Sequence, residues 1–166
     1  MKISHLIYRN NEKLASYYSN HSAISLLFKP IRKWITNSVA PRCPFNAIRL
    51  LLYRMCGFKI GKNVFIGMHC YLDDVCYDML SIGNNVTISY GVYFACHGKH
   101  QGHRPISIGD GAYIGMRASI ISKNAKKVGE GVTISPNAIV GACALVNVDV
   151  PEGATAVGIP CRIIEQ

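Results

Sequence analysis

The first 62 residues of this 166-residue chain contain almost no acidic side chains. Their single acid is Glu12, against eleven lysines and arginines, whereas residues 63–166 carry seven basic and eight acidic residues. The whole net charge of +9 therefore comes from the N-terminal third. A charge this uneven predicts either a surface for an anionic lipid or polymer, or a solvated polar face at one end of the molecule.

The chain also lacks the spacings that mark metal and disulfide sites. It has seven cysteines, but no pair of them is separated by two residues, so we expect structural thiols and a reducing compartment. Residues 9–13 are polar and interrupt any early apolar run, so no secretory signal is predicted. These features together predict a cytoplasmic protein.

A six-residue repeat runs through the C-terminal two thirds of the chain. Large apolar residues recur at this spacing in four groups of three, separated by breaks at residues 73–81, 95–107 and 121–127. The groups are Ile60, Ile66, Leu72; Ile82, Ile88, Phe94; Ile108, Ile114, Ile120; and Val128, Ile134, Val140. A hexapeptide period is the sequence signature of a parallel β-helix, in which each coil buries its neighbour. The repeat therefore predicts an all-β solenoid with about 18 residues in each triangular coil.

Residues before the repeat have a helical pattern. The better helix candidates run from Pro30 to Ser38 and from Pro44 to Phe58, with Pro41 and Pro44 as the break between them. The second is too short and too charged to span a bilayer, although it could lie in a membrane interface or cover the open first coil. We therefore predict a basic helical segment at 1–59 that caps a β-helix domain at 60–166.

The chemistry is expected where the repeat is interrupted, because binding groups concentrate on loops held by a rigid scaffold. The break at 95–107 holds three of the six histidines: His97, His100 and His103. His97 stands three residues after the inward Phe94, where the backbone is still constrained. Its imidazole suits a general base, but a loop histidine bonded to the backbone fits the same position.

Three stretches of sequence resemble the hexapeptide-repeat acyltransferases. These are the repeats, the segment from Ile82 to His97 and the terminus from Val150 to Arg162. The resemblance covers roughly residues 57–166. It implies a left-handed parallel β-helix, acetyl-CoA as donor, and a homotrimer with active sites between subunits and no nucleic-acid partner. It also implies direct acetyl transfer by His97 as general base, with no acyl-enzyme on the adjacent Cys96.

The same resemblance assigns the remaining site residues. It implies cofactor-binding positions at Tyr113, Gly115, Met116, Ala142, Asn147 and Arg162. It implies acceptor-binding positions at Asp73, Asp74 and His100. The lysine that the family often carries before its last proline is replaced by Val148, and Lys123, Lys126 and Lys127 are candidates to compensate.

These features predict an O-acetyltransferase acting on a sugar hydroxyl of a capsule or lipopolysaccharide precursor. Residues 1–59 would contact an anionic membrane at its inner surface. The alternatives within the family are an antibiotic or serine as acceptor. Outside it they are a metal-dependent enzyme like the gamma carbonic anhydrases, with histidine ligands, and a β-helix without activity. No metal is expected.

Overall fold

The computed structural model describes residues 23–97, 103–122 and 131–164. The chain begins there with helix α1 (Ala23–Trp34), which continues through a π-helical turn (Ile35–Val39) and a 3-10 turn (Ala40–Arg42). Helix α2 (Asn46–Met55) follows. Within these ranges, no helix is long and apolar enough to cross a bilayer.

The helix boundaries differ from the sequence prediction at Pro30. We expected this proline to open a helix, but it lies inside α1, which already includes Ala23. The apolar spacing of Phe28, Ile31 and Trp34 extends across the proline, so the helix continues although the proline has no amide hydrogen for its backbone bond. The break at Pro41 and Pro44 falls between the two helices as expected.

Thirteen short strands follow α2 within the described residues. They are β1 (Lys59–Ile60), β2 (Phe65–Ile66), β3 (Leu80–Ile82), β4 (Thr87–Ile88), β5 (Tyr93–Ala95), β6 (Ile106–Ile108), β7 (Tyr113–Ile114), β8 (Ser119–Ile121), β9 (Val132–Ile134), β10 (Ile139–Val140), β11 (Leu145–Val146), β12 (Thr155–Val157) and β13 (Arg162–Ile164). They form three sheets, in the orders β1-β3-β6-β9, β13-β12-β10-β7-β4-β2 and β11-β8-β5. All pairs are parallel except β12 with β13. The chain thus winds around three faces, as in a parallel β-helix.

The repeat residues fill the interior of these coils. Phe94, Ile88 and Ile114 are completely buried, together with most of the small residues two positions before a repeat residue. Alternate strand residues point to the same side, so both positions of each hexad face inward. The glycine after the repeat residue leaves room for the next coil. A Cβ on Gly115 would lie 2.6 Å from the backbone nitrogen of Ala142.

The fourth group of repeats is shifted from its predicted register. Ile108 pairs with Ile134, so the fourth coil is built from Ile134, Val140 and Val146 rather than beginning at Val128. Val128 lies outside the described residues. The prediction failed because a six-residue period cannot show which corner of the triangle a hexad occupies. An extra hexad inside a break has the same spacing as one in a coil.

Two of the three corners are tight turns with a residue in the left-handed conformation. Between the first and second sheets these residues are Asn63, Asn85, Gly111, Asn137 and Gly153, and between the second and third they are His69, Gly91, Arg117 and Cys143. Asparagine and glycine tolerate positive φ best. The third corner, between the third sheet and the first, has no such repeated turn among the described residues, and all three breaks in the repeat fall there.

Arg49 fastens α2 to the first coil. Its guanidinium is buried, with Nε donating to the carbonyl of Ile66 at 2.6 Å and Nη1 donating to the carbonyl of Cys43. The neighbouring Asn46 binds the same coil, donating to the carbonyl of Val64 and accepting from the amide of Ile66. The cap is thus held by polar groups as well as by Leu50 and Tyr53 in the core.

We expect Arg49→Ala to lower the free energy of unfolding by about 2–4 kcal/mol, because buried carbonyl oxygens lose their donors and a cavity is left. Urea unfolding followed by circular dichroism measures this effect. The matched control is Arg54→Ala, an exposed arginine on the same helix that bonds to the Ile60 carbonyl. The control should cost about 1 kcal/mol or less. Equal losses in the two variants would contradict the buried role of Arg49.

Candidate active site

The open corner stacks the starts of successive breaks above one another. Tyr71 bridges to Tyr93, and Ala95 pairs with Ile121, so Asp73, His97 and Ser122 follow equivalent strand ends on three consecutive coils. The amide of Ser122 donates to the carbonyl of Ala95, which continues the stacking beyond the strands. The register therefore brings together side chains that are 24 residues apart in sequence.

Asp73 and His97 form a close pair at this corner. His97 Nδ1 lies 2.6 Å from Asp73 Oδ2. A carboxylate can only accept a hydrogen bond, so Nδ1 carries the proton and Nε2 of a neutral ring is left as an acceptor. The side chain of His97 is 39% exposed while that of Asp73 is fully buried. The ring is thus held on its buried edge and open to a reactant on the other.

Backbone amides complete the shell of Asp73. The N–H groups of Cys96 and His97 donate to Oδ2 at 2.7 and 3.2 Å. Those of Val75 and Cys76 donate to Oδ1 at 3.0 and 3.2 Å. Both carboxylate oxygens are therefore occupied by the protein. Our sequence expectation that Asp73 contacts an acceptor is corrected: Asp73 positions His97 and the loop around it.

Asp74 is occupied in a different way. The Tyr71 hydroxyl donates to its Oδ1 at 2.9 Å, and Lys33 Nζ lies 3.3 Å from its Oδ2 as an ion pair without an aligned hydrogen bond. Burial, followed by the bond to Asp74, raises the pKa of Tyr71. Arg32 Nη2 lies 3.4 Å from the Asp74 carbonyl. Asp74 is almost fully buried, so it ties α1 to the first break instead of facing an acceptor as expected.

The other predicted acceptor residue, His100, lies outside the described residues, as do Lys123, Lys126 and Lys127. His103 is described and exposed, and it forms an antiparallel bridge with His97 across the base of the loop. Sequence reasoning missed the orienting role of Asp73. The available signal was its place one residue after the inward Leu72, at the start of the break that precedes the histidine loop.

The donor groups at the corner do not suit a resident metal. Candidate ligand atoms of Asp73, Cys76 and His97 lie within 4.8 Å of one another. However, both oxygens of Asp73 already accept hydrogen bonds, and burial, together with the nearby carboxylates, raises the pKa of Cys76 to about 12. A cysteine must lose its proton to bind a metal, and the raised pKa of Cys76 opposes this. His69 lies at a different corner, against the ring of Tyr90.

Cys96 is poorly suited to act as a nucleophile. It is completely buried. Burial raises its pKa to about 12, and the negative charge of Asp73 contributes to that increase. The thiolate is the reactive form of cysteine, so the thiol next to His97 is unreactive near neutral pH. Transfer without an acyl-enzyme on Cys96 stays a prediction.

The predicted cofactor positions are divided between two corners. Tyr113, Gly115, Met116 and Ala142 lie together around the corner between the second and third sheets, where the Cys143 amide donates to the Met116 carbonyl at 2.8 Å. The tyrosine hydroxyl accepts from Ser89 Oγ at 3.2 Å. Gly115 is buried against the next coil, so packing alone requires a glycine there.

The other two positions lie elsewhere. Asn147 follows β11 at the open corner, above Ile121, and so does not lie on the edge that carries Ala142. Arg162 is exposed on β13, where it pairs with Val157. In a single chain the His97 corner and the Met116 corner are therefore separated by the width of the third sheet.

The chain is similar to known proteins in sequence and in structure. No family model matches the chain. It is 40% identical over 112 residues to a serine acetyltransferase of Bacillus licheniformis, an alignment that covers 66% of this chain and 46% of that protein. The chain thus spans about half the length of this relative.

Two solved structures show the fold. A hexapeptide-repeat acetyltransferase from Vibrio cholerae, complexed with acetyl-CoA, superimposes with a TM-score of 0.66 at 22% identity, covering 87% of this chain and 90% of its own. A maltose O-acetyltransferase from Clostridium difficile superimposes with a TM-score of 0.60 at 24% identity, covering 87% and 89%. At this identity the structures establish the parallel, helix-capped architecture alone.

Proposed function

Because the chain belongs to the hexapeptide-repeat acyltransferase superfamily, we propose that it is an O-acetyltransferase that takes an acetyl group from acetyl-CoA. The observation that carries the proposal is the Asp73–His97 pair. A half-exposed imidazole is held by a buried carboxylate at the corner where the coils open. That geometry is suited to removing a proton from a hydroxyl group.

The proposed reaction proceeds in one transfer. His97 Nε2 accepts the proton of the acceptor hydroxyl while that oxygen attacks the thioester carbonyl carbon. The C–S bond then breaks, the acetyl group stays on the acceptor oxygen, and the leaving CoA sulfur takes the proton from the imidazolium. The Asp73 carboxylate is well placed to stabilise the imidazolium during this cycle. Backbone N–H groups near the corner are the proposed donors to the oxyanion.

The curated relative favours serine as the acceptor over the sugar that we expected from the sequence. Its 40% identity exceeds that of the sugar acetyltransferase structures, whose likeness extends to the fold alone. A sugar remains the second candidate, because an open groove of about 730 Å³ adjoins the histidine loop through His103. This volume is far larger than a molecule of serine requires.

We also propose that the active site forms between chains of a left-handed homotrimer. His97 and the Met116 corner lie at opposite margins of the third sheet, so a cofactor along that corner would meet the histidine of a neighbouring copy more easily than its own. The left hand of the coil is proposed on family resemblance. Light scattering should give a mass three times that of one chain, and a monomer that is fully active would contradict the shared site.

The experiment that tests the function is acetyl-CoA turnover, measured as thiol release. L-serine, simple sugars and a panel of antibiotics are offered as acceptors. We expect release that depends on an acceptor and is unaffected by EDTA, with serine giving the highest kcat/KM. A sugar giving the highest value would move the assignment to the second candidate. Absence of acetyl-CoA binding, or activity lost to EDTA, would overturn the proposal.

A further inference from the structure

From residue 28 onward, where its side chains are described, helix α1 packs on the protein with its polar side. Arg32 lies with its guanidinium 3.8 Å from the ring centroid of Tyr77 and reaches the Asp74 carbonyl, and Lys33 pairs with the Asp74 carboxylate. Thr36, in the turn that follows, is buried. A helix on a globular protein ordinarily turns its apolar stripe toward the core. In the turn after α1, Ile35 is partly buried against the core.

In this described part of α1, the large apolar side chains face outward. Phe28, Ile31 and Trp34 recur at helical spacing and are 63%, 51% and 63% exposed. They form one stripe along the helix. Single exposed apolar residues need no explanation, but a continuous stripe of large ones marks a surface that binds something.

Helix α2 carries a second stripe. Its exposed large apolar residues, counting the residue that precedes the helix, are Phe45, Ile48, Leu51 and Met55. Met55 is 74% exposed. Phe28 and Ile31 of the first stripe and Met55 of the second line the same open groove of about 730 Å³. The two stripes therefore border one groove. We call the seven residues of both stripes the helical apolar surface.

Most of the charge around this surface is positive; the acids beside it are Asp78, which lines the groove, and Asp74, which pairs with Lys33. Residues 23–62 contain eight lysines and arginines and no aspartate or glutamate. Lys29, Lys33, Arg42 and Arg54 belong to the two helices or their turns. A second copy packing its own helical apolar surface here would bring like charges together, which is unfavourable. An anionic surface with an apolar interior satisfies both features.

We propose that the helical apolar surface docks the protein in the plane of an anionic lipid membrane. Phe28, Ile31, Trp34 and Met55 enter the boundary between headgroups and acyl chains. The exposed Arg42 and Arg54 pair with lipid phosphates. No helix in the described part of the chain crosses the bilayer, so the attachment is peripheral. The groove that Phe28, Ile31 and Met55 line then opens at the membrane surface. This inference does not depend on the identity of the acetyl acceptor.

The chain carries its own reporter for this contact, because Trp34 is its single tryptophan. We expect its fluorescence to shift to shorter wavelength when vesicles of phosphatidylcholine mixed with phosphatidylglycerol are added, and not with phosphatidylcholine alone. The shift should weaken as salt is raised, because the electrostatic part, about fivefold in affinity per basic residue, is screened. Vesicle sedimentation measures the same binding independently.

The matched variants distinguish vesicle binding by the helical apolar surface from nonspecific binding by any exposed apolar residue. Phe28→Ser with Ile31→Ser keeps the reporter and should weaken vesicle binding by roughly tenfold or more, since two large apolar side chains leave the interface. Ile164→Ser removes a similarly exposed residue from β13, away from α1 and α2 in the sheet order, and should bind like the wild type. Circular dichroism checks that each variant is folded.

Three results would overturn the proposal. One is a Trp34 spectrum that anionic vesicles leave unchanged. Another is equal binding by the Phe28/Ile31 variant and the wild type. The third is a lower mass by light scattering for that variant in the absence of vesicles, which would assign the surface to contacts between copies of the chain.

Discussion

Replacing His97 with alanine should reduce kcat/KM for the acceptor by about 10²- to 10⁴-fold, the usual contribution of a positioned general base. Of the described side chains next to His97, neither Asp73 nor Cys96 is suited to take the proton of the hydroxyl group. Asp73 is buried and its oxygens are occupied, and the thiol of Cys96 has a pKa raised to about 12 by burial. Thiol release from acetyl-CoA, measured over a range of acceptor concentrations, gives the loss.

The KM for acetyl-CoA should change little in this variant, because His97 and the predicted cofactor corner at Met116 lie on opposite margins of the third sheet. Thermal unfolding should also be nearly unchanged, since the His97 side chain is partly exposed. Cys96→Ala is the matched control at the adjacent position and should keep kcat within a few-fold. Activity that survives His97→Ala but not Cys96→Ala would replace the general base with a covalent nucleophile.

The repeat made the coil architecture predictable because each inward position has its own chemical requirement. Ile88, Ile114 and Val140 are buried where a six-residue period places them. The register of the fourth coil was not predictable. The chain departs from the repeat at the same corner in all three breaks. The pairing of Ile108 with Ile134 shows this for the third break, because it fixes the register of the fourth coil.

The helices show a second kind of limit. Local sequence rules predict that a helix starts at Pro30. The structure shows that α1 continues through this proline, with apolar residues at helical spacing on both sides of it. The orientation of α1 was also hidden. Sequence periodicity locates an apolar stripe but does not say whether the protein or something else covers it, and Arg32 and Lys33 anchor the opposite side.

At the candidate site, resemblance selected His97 from three loop histidines, and the structure gives it a positioned partner. The partner itself was assigned a different role. Asp73 was assigned to acceptor binding because it corresponds to an acidic residue that the family resemblance places against the acceptor. Its actual surroundings, four backbone amides and one imidazole, arise from the meeting of two coils. The cytoplasmic location expected from the sequence stays a prediction.

Replacing Asp73 with asparagine should reduce kcat by about 10²- to 10⁴-fold, because an amide in this place cannot stabilise the imidazolium as a carboxylate does. The asparagine NH₂ group must also face N–H donors, either those of Val75 and Cys76 or those of Cys96 and His97. We therefore expect a loss of about 1–3 kcal/mol in the free energy of unfolding. Steady-state kinetics and urea unfolding measure the two effects.

A double-mutant cycle with His97→Ala distinguishes positioning of the base from general damage to the fold. If Asp73 acts on catalysis through His97, adding Asp73→Asn to the His97→Ala chain should cost almost nothing further in kcat, while the loss in stability persists. Losses in kcat that multiply would instead show that Asp73 supports activity independently of the imidazole. The KM for acetyl-CoA supplies the remaining check, since Asp73 does not lie at the Met116 corner. A rise in this KM that matches the fall in kcat would identify a collapsed site in place of a misoriented base.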